Sequence, residues 1–120
     1  MANTKNNVPL CAVDYAFRRI GGKYKGRILW HLRMGTILRF GELRRTLPDI
    51  TPKMLAQSLK ELEADKLVFS RRYHEVPMRV EYALTDTGAE LIPFIDYLRA
   101  WGEKEIKVRK GETSLAEATE

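Results

Sequence analysis

Residues 39–84 read RFGELRRTLPDITPKMLAQSLKELEADKLVFSRRYHEVPMRVEYAL, and their periodicity decides the fold. Leu43 and Leu47 stand one helical turn apart, with Phe40 at the start of the same run. Thr51 offers a hydroxyl to cap a second helix, and Pro52 suits the first helical position, where a missing N–H costs nothing. Leu55, Leu59 and Leu62 then recur at helical spacing and mark a buried face. The turn Pro48-Asp49-Ile50-Thr51 is short and polar apart from Ile50. Two short helices joined so closely must cross steeply, which is a helix-turn-helix.

Opposite those leucines lie Lys53, Ala56, Gln57 and Lys60, while Glu61, Glu63 and Asp65 are confined to the C-terminal half. A helix that enters the major groove of DNA presents its N-terminal residues to base edges. Acids there are repelled by phosphates; a lysine, a glutamine and the positive end of the helix dipole are not. A plain amphipathic helix with a solvated face fits the same pattern, and this helix alone does not separate the two.

The residues that follow add weight to the first reading. Leu67, Phe69, Arg71 and Tyr73 alternate with Val68, Ser70 and Arg72, and Val80, Tyr82 and Leu84 alternate with Glu81 and Ala83. This predicts two half-buried strands joined through residues 74–79. Pro77 stiffens the tip, and Arg71, Arg72, His74 and Arg79 surround it. A hairpin directly after a recognition-type helix is a wing. Its tip can follow the backbone or reach the minor groove, where negative potential draws a basic side chain. A surface hairpin with solvated arginines is the simpler alternative; the position directly after the helix favours the wing. Lys66 stands where a helix stop often uses glycine in a left-handed conformation; if Lys66 takes it, the cost relative to glycine is up to roughly 1 kcal/mol.

Working outward, Val13, Ala16, Phe17 and Ile20 predict a helix from Cys11 to Ile20, ended by Gly21-Gly22. Lys23, Tyr24 and Lys25 lead into another, with Ile28, Leu29 and Leu32 as its stripe and Gly35 closing it. Lys23 and Lys25 at its head suit a phosphate contact, or are simply solvated near a turn. On the other side, Thr85 can cap a last helix that carries Leu91, Phe94, Ile95, Leu98 and Trp101 on one face, with a kink or restart at Pro93. Residues 1–8 and the acidic residues 111–120 are expected to be flexible ends around one domain at 9–110.

The chain has 120 residues, room for one compact domain, and 44% of them are hydrophobic, enough for a packed core. Its net charge of +5 is uneven. Residues 1–38 hold seven basic and one acidic side chains, whereas residues 84–120 hold five and eight. A basic front suits a polyanion on one side. No run approaches the ~20 apolar residues of a membrane span, and the start lacks an apolar signal core, so a cytoplasmic location is the default. Catalysis and a bound metal are not expected, nor is any cofactor. The single cysteine excludes CxxC pairs, the histidines His31 and His74 form no HExxH pattern, and Gly21-Gly22 is no phosphate loop. His31, in an apolar helix, reads most simply as a core residue.

With these residues in view, the chain resembles the HxlR-type branch of winged helix-turn-helix regulators. Cys11, IGGKYK (20–25), ILWHL (28–32), RFGELRR (39–45), ITPKMLAQSLKELEAD (50–65), VPMRVEYALT (76–85) and Trp101 carry the resemblance, in register over residues 10–102. It implies a mainly α fold with a small β-hairpin wing, dimerised through N- and C-terminal helices. It implies a prokaryotic, nucleoid-associated transcription regulator, with repression as the expected sense, acting as a homodimer on an inverted repeat in double-stranded DNA. By the same resemblance Thr51, Pro52, Lys53, Met54, Gln57 and Ser58 form the groove-facing part of the recognition helix and Arg79 belongs to the wing. Lys23, Lys25, Arg39, Arg71 and Arg72 would add charge against the DNA. Lys66, Met78 and Ser70 depart from the family pattern, and the last two leave the wing's contacts open.

Two further expectations concern the chain ends. Val13, Phe17, Leu91, Phe94, Ile95, Leu98 and Trp101 make more apolar surface than a small core needs, which favours a two-fold dimer over burial within one chain. Cys11 heads the first helix, where some family members sense electrophiles or oxidants, and a thiol at a helix N-terminus ionises more readily. Asp14 beside it works against an anion, and a small apolar side chain in a dimer core remains the alternative. A winged helix used for protein contact, without specific DNA binding, is the alternative function.

Overall fold

The computed structural model describes residues 11–119, with side chains described through Gly111; the expected flexible segment 1–8 lies outside the described residues. The elements are α1 (Ala12–Ile20), α2 (Lys25–His31), β1 (Leu38–Arg39), α3 (Phe40–Thr46), α4 (Pro52–Ala64), β2 (Val68–Tyr73), β3 (Arg79–Leu84), α5 (Asp86–Ala89) and α6 (Ile92–Thr119). Helices α3 and α4 form the helix-turn-helix, and β2 and β3 the wing. The fold is the mainly α winged helix-turn-helix expected.

The core lies where the three helices α2, α3 and α4 meet the sheet. Ile28, Leu29 and Leu32 of α2, Leu43 of α3 with Leu47 just past its end, and Leu55, Leu59 and Leu62 of α4 are all but fully buried. Leu67, Val68 and the turn residue Ile50 close it from the side. Thr51 caps α4 as its sequence suggests: its hydroxyl accepts the Met54 N–H at 3.1 Å, and Pro52 opens the helix. Lys66 ends α4 with φ +60°, the left-handed conformation expected. Its carbonyl accepts the Thr85 hydroxyl, and Thr85 also caps α5 through the Gly88 N–H. Gly88 has no room for a side chain, since a Cβ there would collide with the Leu67 carbonyl oxygen.

The sheet holds one strand more than the sequence reading contained. Leu38 and Arg39 form β1, which pairs antiparallel with β3 so that the order is β1-β3-β2. Two residues carry no periodicity, and only pairing with the distant Tyr82 and Glu81 makes them a strand. Within the wing, Val68 faces the core and Phe69 faces solvent. Pro93 produces the restart, not a kink within a helix: the chain breaks between Ala89 and Ile92, and Pro93 falls in the first turn of α6. Helical backbone then continues to Thr119, past residue 110 where the sequence reading ends the domain. Among the described residues no helix is long and apolar enough to cross a membrane.

Candidate nucleic-acid interface

Because its leucine stripe is sealed in the core, α4 is forced to turn its opposite face outward. There Lys53, Met54, Gln57 and Ser58 line one shallow hollow of about 250 Å³. Thr51 and Pro52 lie exposed at its N-terminal edge. The Lys53 ammonium has no ion pair or side-chain hydrogen bond among the described residues. Gln57 is engaged: its Nε2 donates to Glu61 Oε2 at 2.7 Å. The other oxygen of Glu61 meets Lys25 Nζ at 2.7 Å. Lys25, and after it Gln57, holds the Glu61 carboxyl below the usual carboxylate range.

This pairing gives the two lysines at the head of α2 different characters. The Lys25 side chain is mostly covered and committed to Glu61, tying α2 to α4. Lys23 is open to solvent and only loosely paired, 3.6 Å from Asp49. Asp49 is also gripped by Arg27 through two hydrogen bonds of 2.7 and 3.0 Å, and Arg27 holds its carboxyl far below the ordinary range. The turn of the helix-turn-helix is thus fastened to α2 from outside as well as through Ile50 from within.

On the wing, Arg71 and Arg72 are exposed, as are His74 and residues 75–78 at the tip. Arg79 is not at the tip's surface as its place in the sequence implied. Its guanidinium lies 3.9 Å over the Tyr73 ring, 3.1 Å from Glu75 and 3.7 Å from Glu81, and the side chain is three-quarters covered. It braces the hairpin at its outer end, where Tyr73 and Arg79 form the last rung before the loop. Arg39 is exposed at the start of α3, where its backbone N–H donates to Glu42, and it lines a hollow of about 350 Å³ together with Pro77, Met78 and Arg79. The structure therefore gathers Arg39 and the wing on one side of α3.

The apolar residues of the chain ends divide. Ile95, expected on the intersubunit face, is buried in the core of its own chain instead, because α6 packs on α2 there. Val13, Phe17, Phe94, Leu98 and Trp101 remain exposed, and Leu91 is half-buried. Phe17 and Phe94 meet edge to face at 6.1 Å, and Ala12, Val13, Ala16, Phe17, Ile20, Leu91 and Phe94 surround a groove of about 310 Å³ that is almost wholly apolar. Cys11 is exposed at the N-cap of α1, where its sulfur accepts the Asp14 N–H at 3.4 Å. His31 is half-buried beside Trp30 and not the core residue expected; burial lowers its pKa, helped by Arg33 and Arg27. Among the described residues no cluster of histidine, cysteine and carboxylate side chains could hold a metal ion.

Glu61, Asp49 and Tyr73 acquire a place at this site that their positions in the sequence did not assign. The Gln57–Glu61 spacing of one helical turn was readable, and Glu75 and Glu81 flank Arg79 closely enough to have warned of a pairing. The reach of Lys25 to Glu61 depends on tertiary packing and left no local sign.

Known proteins of similar sequence share this fold. The model of the HxlR-like helix-turn-helix family matches residues 19–110. MalR of Fusobacterium mortiferum, whose own regulatory designation is provisional, is 43% identical over 100 residues, covering 83% of this chain and 94% of that protein. YybR of Bacillus subtilis, an uncharacterised HTH-type transcriptional regulator, is 43% identical over 106 residues, covering 86% and 84%. Among solved structures, the redox regulator HypR in its reduced form superposes with a TM-score of 0.78 at 40% identity, over 84% of this chain and 99% of that one. Its oxidized form gives 0.74 at 44%, over 78% and 96%.

Proposed function

The chain belongs to the HxlR-like helix-turn-helix family of DNA-binding transcription regulators, and on that premise we propose that it acts as a homodimer that represses from an inverted-repeat operator. In this reading the N-terminal half of α4 enters the major groove, with Lys53 and Gln57 at base edges and Thr51, Pro52, Met54 and Ser58 around them. Lys23, Arg39, Arg71 and Arg72 lie against phosphates, and Arg79 supports the wing from its Tyr73–Glu75–Glu81 setting. The observation that carries the reading is the division of α4: three leucines sealed behind, one open hollow of Lys53, Met54, Gln57 and Ser58 in front. The protein then works at the nucleoid of a prokaryotic cytoplasm.

Selection of bound sites from a random duplex pool tests this. The expected result is a footprint of two symmetric half-sites about one helical turn, ~34 Å, apart. Gln57→Ala is expected to relax base preference at one position of each half-site, by roughly 1–3 kcal/mol. Replacing Arg71 and Arg72 together with alanine is expected to weaken all duplexes alike and flatten the dependence of affinity on salt. Salt-dependent binding to an acidic protein, with no symmetric footprint on any duplex, overturns the reading in favour of a protein-contact module.

Cys11 is the proposed sensor. The likeness of the chain to a redox regulator in two oxidation forms supports an oxidant response, and the thiol is exposed at the edge of the apolar α1 face. Modification there acts where two copies would meet. Operator affinity measured before and after a mild oxidant, with Cys11→Ser as control, is expected to change in the wild type alone. An unchanged wild type ends the sensor role.

A further inference from the structure

We propose that Lys25 and Glu61 are positioning residues that determine which base Gln57 accepts, by holding its carboxamide in a single orientation. The inference rests on α4 entering the major groove, and it concerns what that helix shows once there.

An ionised carboxylate only accepts hydrogen bonds, so the 2.7 Å contact with Glu61 must come from the amide nitrogen of Gln57. The Gln57 oxygen is then turned away from Glu61. Glu61 is itself held, because its second oxygen takes the Lys25 ammonium at 2.7 Å. Lys25 heads α2, whose Ile28 and Leu29 are completely buried, so its backbone is a fixed point. Orientation passes from the core through Lys25 and Glu61 to the exposed amide. Without this support a glutamine amide turns over at little cost and shows either end.

Held this way, Gln57 offers an acceptor oxygen and the N–H that Glu61 leaves unused. Adenine presents the complementary pair in the major groove, a donor at N6 and an acceptor at N7, whereas guanine presents two acceptors. The fixed amide therefore selects adenine. The same geometry explains why Lys25, basic and at a helix head, is covered and paired while Lys23 two residues earlier is open. An ion pair that merely joined α2 to α4 would add stability and leave the choice of base untouched.

The replacement Glu61→Gln separates these roles. Lys25 can only donate, so it claims the new amide oxygen, and the new amide nitrogen faces Gln57. Gln57 must then turn its own oxygen inward and its nitrogen outward, which suits the acceptors of guanine. The position to watch is the one whose preference disappears in Gln57→Ala. Site selection with wild type, Glu61→Gln and Glu61→Ala, with thermal unfolding and affinity for an unrelated duplex as controls, is the experiment. The wild type is expected to select adenine there, and Glu61→Gln to shift the preference toward guanine. Glu61→Ala is expected to level it roughly tenfold, while the loss of a carboxylate raises affinity for the unrelated duplex in both variants without favouring any base. A folded Glu61→Gln protein that still selects adenine at that position overturns the positioning role. A wild type that selects no sequence at all overturns the groove-facing reading of α4, so the two failures are distinct.

Discussion

Helix α4 and the pair α1 and α6 carry the same kind of apolar stripe and meet different fates. Leu55, Leu59 and Leu62 of α4 are at most 1% exposed, whereas Val13 and Phe17 of α1 are 62% and 52% exposed and Trp101 of α6 is 53%. Periodicity marks a face that water disfavours; it does not say which molecule covers it. The helix-turn-helix is completed by its own chain. The terminal helices present neighbouring large apolar side chains in a contiguous groove, which a soluble protein rarely leaves bare.

The strongest way to break this contrast is to truncate one leucine. Leu59→Ala removes a side chain sealed on all sides and is expected to cost ~2–5 kcal/mol, read as a lowered midpoint of denaturant unfolding. Because the site is internal to one chain, the loss should be the same at any protein concentration. A loss that grows on dilution would show that α4 depends on a second copy after all.

Next in size is the opposite substitution at the ends. Phe17→Asp combined with Leu98→Asp places charges in the exposed apolar face and should leave the far-ultraviolet circular dichroism of the helix-turn-helix intact. Equilibrium ultracentrifugation of the wild type is expected to give twice the chain mass of 13.9 kDa, and the variant the chain mass. The dimer dissociation constant should rise by roughly thirtyfold or more, the equivalent of ~2 kcal/mol at a central apolar contact. A monomeric wild type at micromolar concentration removes the proposed dimer, though not the fold.

The same contrast explains what could be read in the sequence and what could not. The cap at Thr51, the start at Pro52, the leucines of α4 and the left-handed Lys66 are local, each decided within one or two turns of chain. Strand β1 was invisible because its two residues are a strand only beside Tyr82 and Glu81. Of the candidate interface, the outward hollow on α4 followed from the leucines behind it. The pairing of Lys25 and Arg79 was not legible for one shared reason: a positive charge in a sequence is counted as available, yet folding gave both of them carboxylate partners. Ile95 shows the converse, since its stripe points outward on average while its own position on α6 faces the core.

A smaller effect sharpens the local side of the comparison. Lys66 holds φ +60° at the end of α4, between the Glu63 carbonyl it bonds and the Thr85 hydroxyl that bonds its own carbonyl. Lysine adopts that conformation at a cost glycine does not bear, so Lys66→Gly is expected to stabilise the protein by up to roughly 1 kcal/mol. The gain should appear as a higher denaturant midpoint with an unchanged slope. A loss would mean that the lysine side chain contributes more than its backbone strain costs.

The smallest effect separates the two regions by pH. Asp49 joins the helix-turn-helix turn to Arg27 and Lys23 of the preceding segment, at the surface and open to water. Hydrogen bonds from Arg27 depress its carboxyl far below the ordinary range, so the folded chain binds that proton less readily than the unfolded chain does. The stabilisation is therefore complete above the unfolded value of about 4 and is lost progressively as pH falls from there toward the depressed folded value. Asp49→Asn should lower the denaturant midpoint by a constant amount between about pH 5 and 7, and the gap to wild type should narrow below about pH 4. Salt should narrow it too, since the pair is exposed. The oligomeric state should stay the same in both proteins, because the contact lies within one chain. A gap that persists undiminished in acid would show that the aspartate acts through its backbone turn and not its charge, leaving Ile50 as the anchor of that turn.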